Sequence, residues 1–188
     1  MIYVALLRGI NVGGNNKVAM PMLAKLFLSL GFTDVRTYIN SGNVIFSAPA
    51  CDEALLAQTI EQAIEKSFGF PVRTIVRTET HIATICAQVP KKWQNNTEQK
   101  TDVLFLWDAY DSEKTRALIQ TTPGVDELIY IAKAGVILWH VDRANYAKSG
   151  MHSFVGSAVY IHMTARNINT VRKLDTLMGK EGAHKSAV

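Results

Sequence analysis

The feature that most constrains this chain is an order of patterns that occurs twice. In the first half, an apolar run rich in strand formers covers residues 2–8, and a Gly- and Asn-rich loop follows over residues 9–19. Leu23, Leu26, Phe27 and Leu30 then fall at i, i+3, i+4 and i+7, one face of a helix, with Pro21 suited to its first turn and Gly31 to its end. Val35 to Ile39 and Val44 to Ser47 predict a hairpin around Asn40-Ser41-Gly42-Asn43. Asp52 can cap a helix whose buried stripe is Leu56, Ile60, Ile64 and Phe68, stopped by Gly69 and Pro71. A strand over Val72 to Arg77 and a short helix capped by Thr80 and closed by Pro90 complete the series.

The second half repeats it. Val103 to Trp107 predicts a strand, and Ser112 to Gln120 a helix ended by Pro123-Gly124. Glu127 to Ala132 and Val136 to Val141 predict a hairpin through Lys133-Ala134-Gly135. A helix over Tyr146 to Val155, a strand over Val159 to Met163 and a last helix from about Ala165 to Met178, with Gly179 beyond it, follow. Strand–helix–strand–strand–helix–strand is the split βαβ order. The expected fold is therefore α+β: two duplicated ferredoxin-like units with mixed or antiparallel sheets. The expected division is 1–90 for the first unit, 91–100 as a polar connector with one apolar residue, and 101–188 for the second with its C-terminal helix.

Composition narrows the class. Apolar residues make up 48% and charged residues 19%, the balance of a globular protein rather than a disordered one. No apolar run approaches the roughly 18 residues of a bilayer span, and the strand-like start has no signal-peptide pattern, so the expectation is a cytoplasmic protein with no membrane partner. Cys51 and Cys86 show no metal-ligand spacing and read as ordinary thiols of a reducing compartment. Charge is uneven. Residues 1–100 carry ten Lys/Arg against seven Asp/Glu, residues 101–147 four against seven, and residues 148–188 six against two. Two basic ends meeting in space would suit an anion; scattered solvated charges are the plain alternative.

Three segments are candidates for function. Arg8 to Lys17 places Gly9, Gly13 and Gly14 between flanking cations at the entry to a helix, where unpaired amides and the helix dipole favour anions. The Walker spacing fails because Asn15 and Asn16 stand where Lys and Ser/Thr belong. A loop that needs positive φ at its glycines explains the same residues. The turn tip Asn40, Ser41 and Asn43 is more polar than a hairpin requires, although turn chemistry accounts for it. Arg166-Asn167 enters the last helix, and a cation there opposes the dipole unless it faces an acid or a bound anion.

The stretches Ala5-Leu6-Leu7-Arg8-Gly9-Ile10-Asn11-Val12-Gly13-Gly14 and Tyr38 to Val44, with Lys148-Ser149 and Thr164 to Thr170, resemble a bacterial family catalogued as domain of unknown function 1697. The resemblance covers essentially the whole chain and implies a duplicated ferredoxin-like fold. It implies no reaction. Ile168 departs from the aromatic residue expected after Arg-Asn.

His81, His140, His152, His162 and His184 contain no His-x-x-x-His pair, so no metal is expected. No Gly-x-Ser-x-Gly elbow occurs and no cofactor is indicated. An RNA-recognition reading places Ser41 and Asn43 where stacking aromatics belong. The leading expectation is a protein, enzymatic or not, that binds a small anionic or phosphate-containing ligand through Arg8, Asn11, Gly13, Gly14, Lys17, Asn40, Ser41, Asn43, Arg166 and Asn167. A nucleic-acid-binding module and a structural or assembly protein are the alternatives.

Overall fold

The computed structural model describes residues 1–14, 16–132 and 134–185, with the backbone alone from 180. The chain divides into two compact units: residues 1–82 together with the chain from Leu174, and residues 83–173. Both are α+β, each built on a four-stranded antiparallel sheet.

In the first unit the order is β1 (Ile2–Leu7), α1 (Met20–Ser29), β2 (Thr33–Tyr38), β3 (Asn43–Ser47), α2 (Glu53–Phe68) and β4 (Thr74–Thr78), and the sheet order is β2-β3-β1-β4. Local chemistry sets the helix ends. Pro21 occupies the first turn of α1, and Asp52 accepts the amides of Ala54 and Leu55 at 2.9 and 3.0 Å to start α2. Gly69, with φ of 81°, ends α2 in the left-handed conformation that glycine adopts without penalty. Tyr3, Ala5 and Leu7 alternate toward Phe46, Leu23, Phe27, Leu56, Ile60 and Ile64. Phe46 stacks on Tyr3 and meets Phe27 edge-on, at centroid distances of 5.6 and 5.4 Å. Val4, Leu6, Ile45 and Ile75, on the other face, are buried as well. Burial on both faces is why β1 is an unbroken apolar run.

After α3 (Glu79–Gln88), the second unit runs β5 (Gln99–Leu106), α4 (Glu113–Ala117), β6 (Glu127–Ile131), β7 (Val136–Asp142), α5 (Gly150–Phe154) and β8 (Met163–Asn167), ordered β6-β7-β5-β8 in the sheet. Its core gathers Leu104, Leu106, Ile137, Trp139, Phe154 and Met163. α6 (Ile168–Lys185) follows. Among the described residues, no helix is long and apolar enough to cross a membrane.

Several elements depart from the sequence expectation. Within residues 91–100, expected as a polar connector, Trp93 is buried and stacks on His140 at 4.9 Å, the Thr101 hydroxyl donates to the Gln94 carbonyl at 2.7 Å, and Gln99 begins β5. The strand expected over Val159 to Met163 is a 3-10 turn, Ala158–His162, and β8 lies just beyond it, which delays the last helix to Ile168. Pairing of Val103 with Arg166 and Phe105 with Thr164 holds those polar residues in a strand. Gly179 lies inside α6. The helix expected over Tyr146 to Val155 is a 3-10 turn, Arg143–Lys148, followed by α5, and the helix expected to reach Gln120 stops at Ala117. Thr78 rather than Thr80 starts α3, its hydroxyl accepting the His81 amide at 3.2 Å. Lys133 of the second hairpin lies outside the described residues.

Candidate ligand site in the first unit

β1 hands the chain to its loop through two fixed points: the Leu7 amide donates to the Gly42 carbonyl at 2.8 Å, and the Arg8 amide to the Arg73 carbonyl at 2.9 Å. Gly42 cannot be replaced without displacement. A Cβ there would lie 2.8 Å from Leu7 Cβ and 2.9 Å from Ile10 Cδ1, and its φ is +80°.

Asparagines hold the loop in shape. Asn11 sits at φ of 55°, its Nδ2 donating to the Val18 and Asn40 carbonyls at 2.9 and 3.0 Å while Oδ1 accepts the Val18 amide at 2.9 Å. Asn16, at φ of 48°, donates from Nδ2 to the Gly9 carbonyl at 3.2 Å. Ile39 opens the hairpin turn at φ of 50°, a strained setting for a β-branched residue. Asn43 is fully buried and donates to the Tyr38 carbonyl and the Ser41 hydroxyl at 3.0 and 3.2 Å.

Loop and turn are thereby brought together around a depression of about 410 Å³. Asn11, Gly14, Lys17 and Asn40 line it, with Val18, Ala19, Met20 and Pro21 completing the wall. Gly13 is exposed beside Gly14, while Arg8 and Ser41 are half-buried. Asn15 lies outside the described residues. Asn11 and Asn43 both direct their side-chain amide nitrogens to groups of the protein itself.

Arg166 and Asn167 belong to the second unit. Arg166 is in β8, not at a helix N-terminus, so the conflict with a helix dipole does not arise. Its side chain is buried, and Nη1 donates to the Thr164 hydroxyl at 3.0 Å and the Ala165 carbonyl at 2.8 Å. Burial lowers its pKa to about 10 despite the opposing influence of Tyr160. The Asn167 Oδ1 accepts the Thr170 amide at 2.9 Å and caps α6.

The model of a family described as a protein of unknown function, DUF1697, matches residues 1–135. The chain belongs to that family. Among solved structures it is similar to the conserved bacterial protein SP0830 from Streptococcus pneumoniae, at 27% identity and a TM-score of 0.79, over 94% of this chain and 98% of that one. A search of curated proteins returns no match.

Two polar clusters of this DUF1697 chain have no sequence spacing that reveals them. Glu53, in the first turn of α2, accepts from Arg77 Nη1 at 3.1 Å, the Thr78 amide at 2.8 Å and His81 Nδ1 at 3.1 Å. Burial pushes its pKa up, but the His81 hydrogen bond, the Arg77 guanidinium and the Thr78 amide outweigh burial and hold it below the ordinary value. In the second unit, Asp126 accepts from the Ser149 hydroxyl, from Trp139 Nε1 at 2.9 Å, and from the Thr122 and Gly150 amides at 2.7 and 3.0 Å. Both carboxylates tie strands to helix starts. Among the described residues, no group of three His, Cys, Asp or Glu could hold a metal ion.

Proposed function

We propose that this DUF1697 protein binds a small anionic or phosphate-containing molecule at the loop-and-turn depression of its first unit. The reading starts from the fold. We infer that each unit is a ferredoxin-like split βαβ and that the two arose by duplication. Equal strand orders support this, as do matching hydrogen bonds in corresponding places. Leu7 to Gly42 answers to Leu106 to Gly135, at 2.8 and 2.7 Å, and Arg8 to Arg73 answers to Trp107 to His162, at 2.9 and 3.3 Å. Arg77 Nη1 turns back onto the Val76 carbonyl at 2.9 Å, as Arg166 Nη1 does onto Ala165 at 2.8 Å.

One observation carries the function: only one copy has the loop. Where the first unit has Arg8 to Lys17, the second has Trp107 followed by a 3-10 turn, Asp108–Tyr110, with neither glycine nor lysine. A split βαβ closes without the loop, so its shape answers to something other than folding. Ile39, a β-branched residue at φ of 50°, is strained beside this loop, and such strain clusters where a surface is held ready for a ligand. Lys17 supplies the charge, Gly13 and Gly14 leave room for backbone approach, and α1 begins at Met20 behind Ala19, without a side-chain cap or an acidic residue in its first turn. Arg8, at the base of the loop, adds positive potential. Arg166 and Asn167 have no part in this reading because their polar groups serve the second unit.

The test is thermal unfolding with inorganic phosphate, adenosine monophosphate and citrate, for the wild-type protein and Lys17→Ala. A ligand at a hundred times its Kd stabilises by about 2.7 kcal/mol, a rise of several degrees at this size. Wild type is expected to show the rise, and Lys17→Ala to lose it with an unchanged melting temperature in buffer alone. No rise with any anion, or an equal rise in the variant, overturns the proposal. Oligonucleotide binding that weakens steeply with salt would favour the nucleic-acid reading instead.

A further inference from the structure

The second unit has a different opening. The helices following β1 and β3 run ten and sixteen residues, whereas those following β5 and β7, α4 and α5, have five each. Beside these short helices and the 3-10 turn Ala158–His162 lies a cavity of about 370 Å³. Phe154 and Val159 give it an apolar wall, and Leu118 stands at 59% exposure on its rim. Val155 and Ile161, on the same segments, are also large apolar groups left in water. The polar lining is Gln120, Ser153, Ser157 and His162, and among the described residues that line it there is no Lys, Arg, Asp or Glu.

We propose that this cavity binds a small uncharged aromatic molecule that carries an N–H or O–H donor. Its volume lies at the small end of ligand sites, enough for one or two fused rings. A charged ligand would lose hydration with no permanently charged side chain in the lining to compensate. The ring is taken by Phe154, Val159 and Leu118. The Ser157 hydroxyl is already oriented, since it donates to the Phe154 carbonyl at 2.7 Å, and its oxygen lone pairs are the acceptor for the ligand's donor. This inference concerns a separate site and rests on none of the reading of the first unit.

The experiment is amide NMR of the labelled full chain with three probes: indole, 1-methylindole and indole-3-carboxylate. Indole at millimolar concentration is expected to shift the amides of Ser153, Ser157, Ala158 and His162. Its methylated analogue, lacking the donor, should bind about five- to tenfold more weakly, and the carboxylate more weakly still. Ser157→Ala, which also gives up the bond to the Phe154 carbonyl, should reduce indole affinity by the same factor and abolish the preference over 1-methylindole. Ala158→Trp, at an exposed position, should fill the opening and abolish the shifts with circular dichroism unchanged. Absence of indole shifts at these amides, a preference that survives Ser157→Ala, or carboxylate binding as tight as that of indole would overturn the proposal.

Discussion

Replacing Gly42 by alanine tests how the loop and the hairpin turn are held against β1. Two costs combine there. Alanine at a φ of +80° is strained by about 1–2 kcal/mol. Its Cβ would also lie 2.8 Å from Leu7 Cβ, 2.9 Å from Ile10 Cδ1 and 3.0 Å from Ile10 Cγ1. Leu7 Cβ is fixed to a central strand and cannot swing away, so overpacking adds about 1–3 kcal/mol. The expected loss is therefore about 2–5 kcal/mol. Gly31→Ala is the control, because φ there is +84° and nothing lies within 4 Å of the added carbon. It carries the dihedral cost alone, and both variants share the same stiffening of the unfolded chain. Urea unfolding followed by far-UV circular dichroism reads the difference. Tryptophan emission is the wrong probe, since Trp93, Trp107 and Trp139 all lie in the second unit. Losses for the two variants within about 0.5 kcal/mol of each other would refute the argument that contact at Gly42, rather than its backbone angle, fixes the turn.

Two further expectations concern pH. Glu53 has a folded pKa below its ordinary value of 4.5, so its contribution is complete above that pH and fades as pH falls through the lower value. Glu53→Gln should cost about 2–3 kcal/mol at neutral pH, and the gap between wild type and variant should close on acidification; a gap that stays constant down to about pH 3 would contradict this. His140 is held neutral, burial lowering its pKa against the opposing charges of Glu127 and Asp142, with Lys92 acting in the same direction as burial. The unfolded chain takes up the proton first, so stability is lost as pH falls below 6.5. His140→Phe should remove that slope, read by Trp93 emission during unfolding, and an unchanged slope would assign it elsewhere.

How much of this was legible follows from where each signal resides. Pro21, Gly31, Asp52 and Gly69 act within one helical turn of themselves, and the helices they bound are where periodicity puts them. The hairpins at Gly42 and Gly135 are equally local. β8 is not: Thr164-Ala165-Arg166 is a strand only because β5 pairs with it, and nothing in those three residues says so. The polarity of residues 91–100 is readable in the composition, but the stacking of Trp93 on His140, 47 positions away, is not. At the candidate site, the polarity of loop and turn was readable, and their meeting depends on Asn11 reaching a carbonyl 29 residues away. The Glu53–Arg77 pair spans 24 residues and left no trace in spacing. Side-chain amides that fold a loop and side-chain amides that face a ligand look alike in one dimension.

The first unit counts the chain from Leu174 among its parts, and Leu174 and Met178 are wholly buried. A ribosome that has delivered β1 through β4 still has every residue of the second unit to make before those two side chains emerge. The half of the protein that is translated first is thus completed last. Cutting the gene ahead of codon 174 would strip the earlier half of packing while leaving each of its strands encoded.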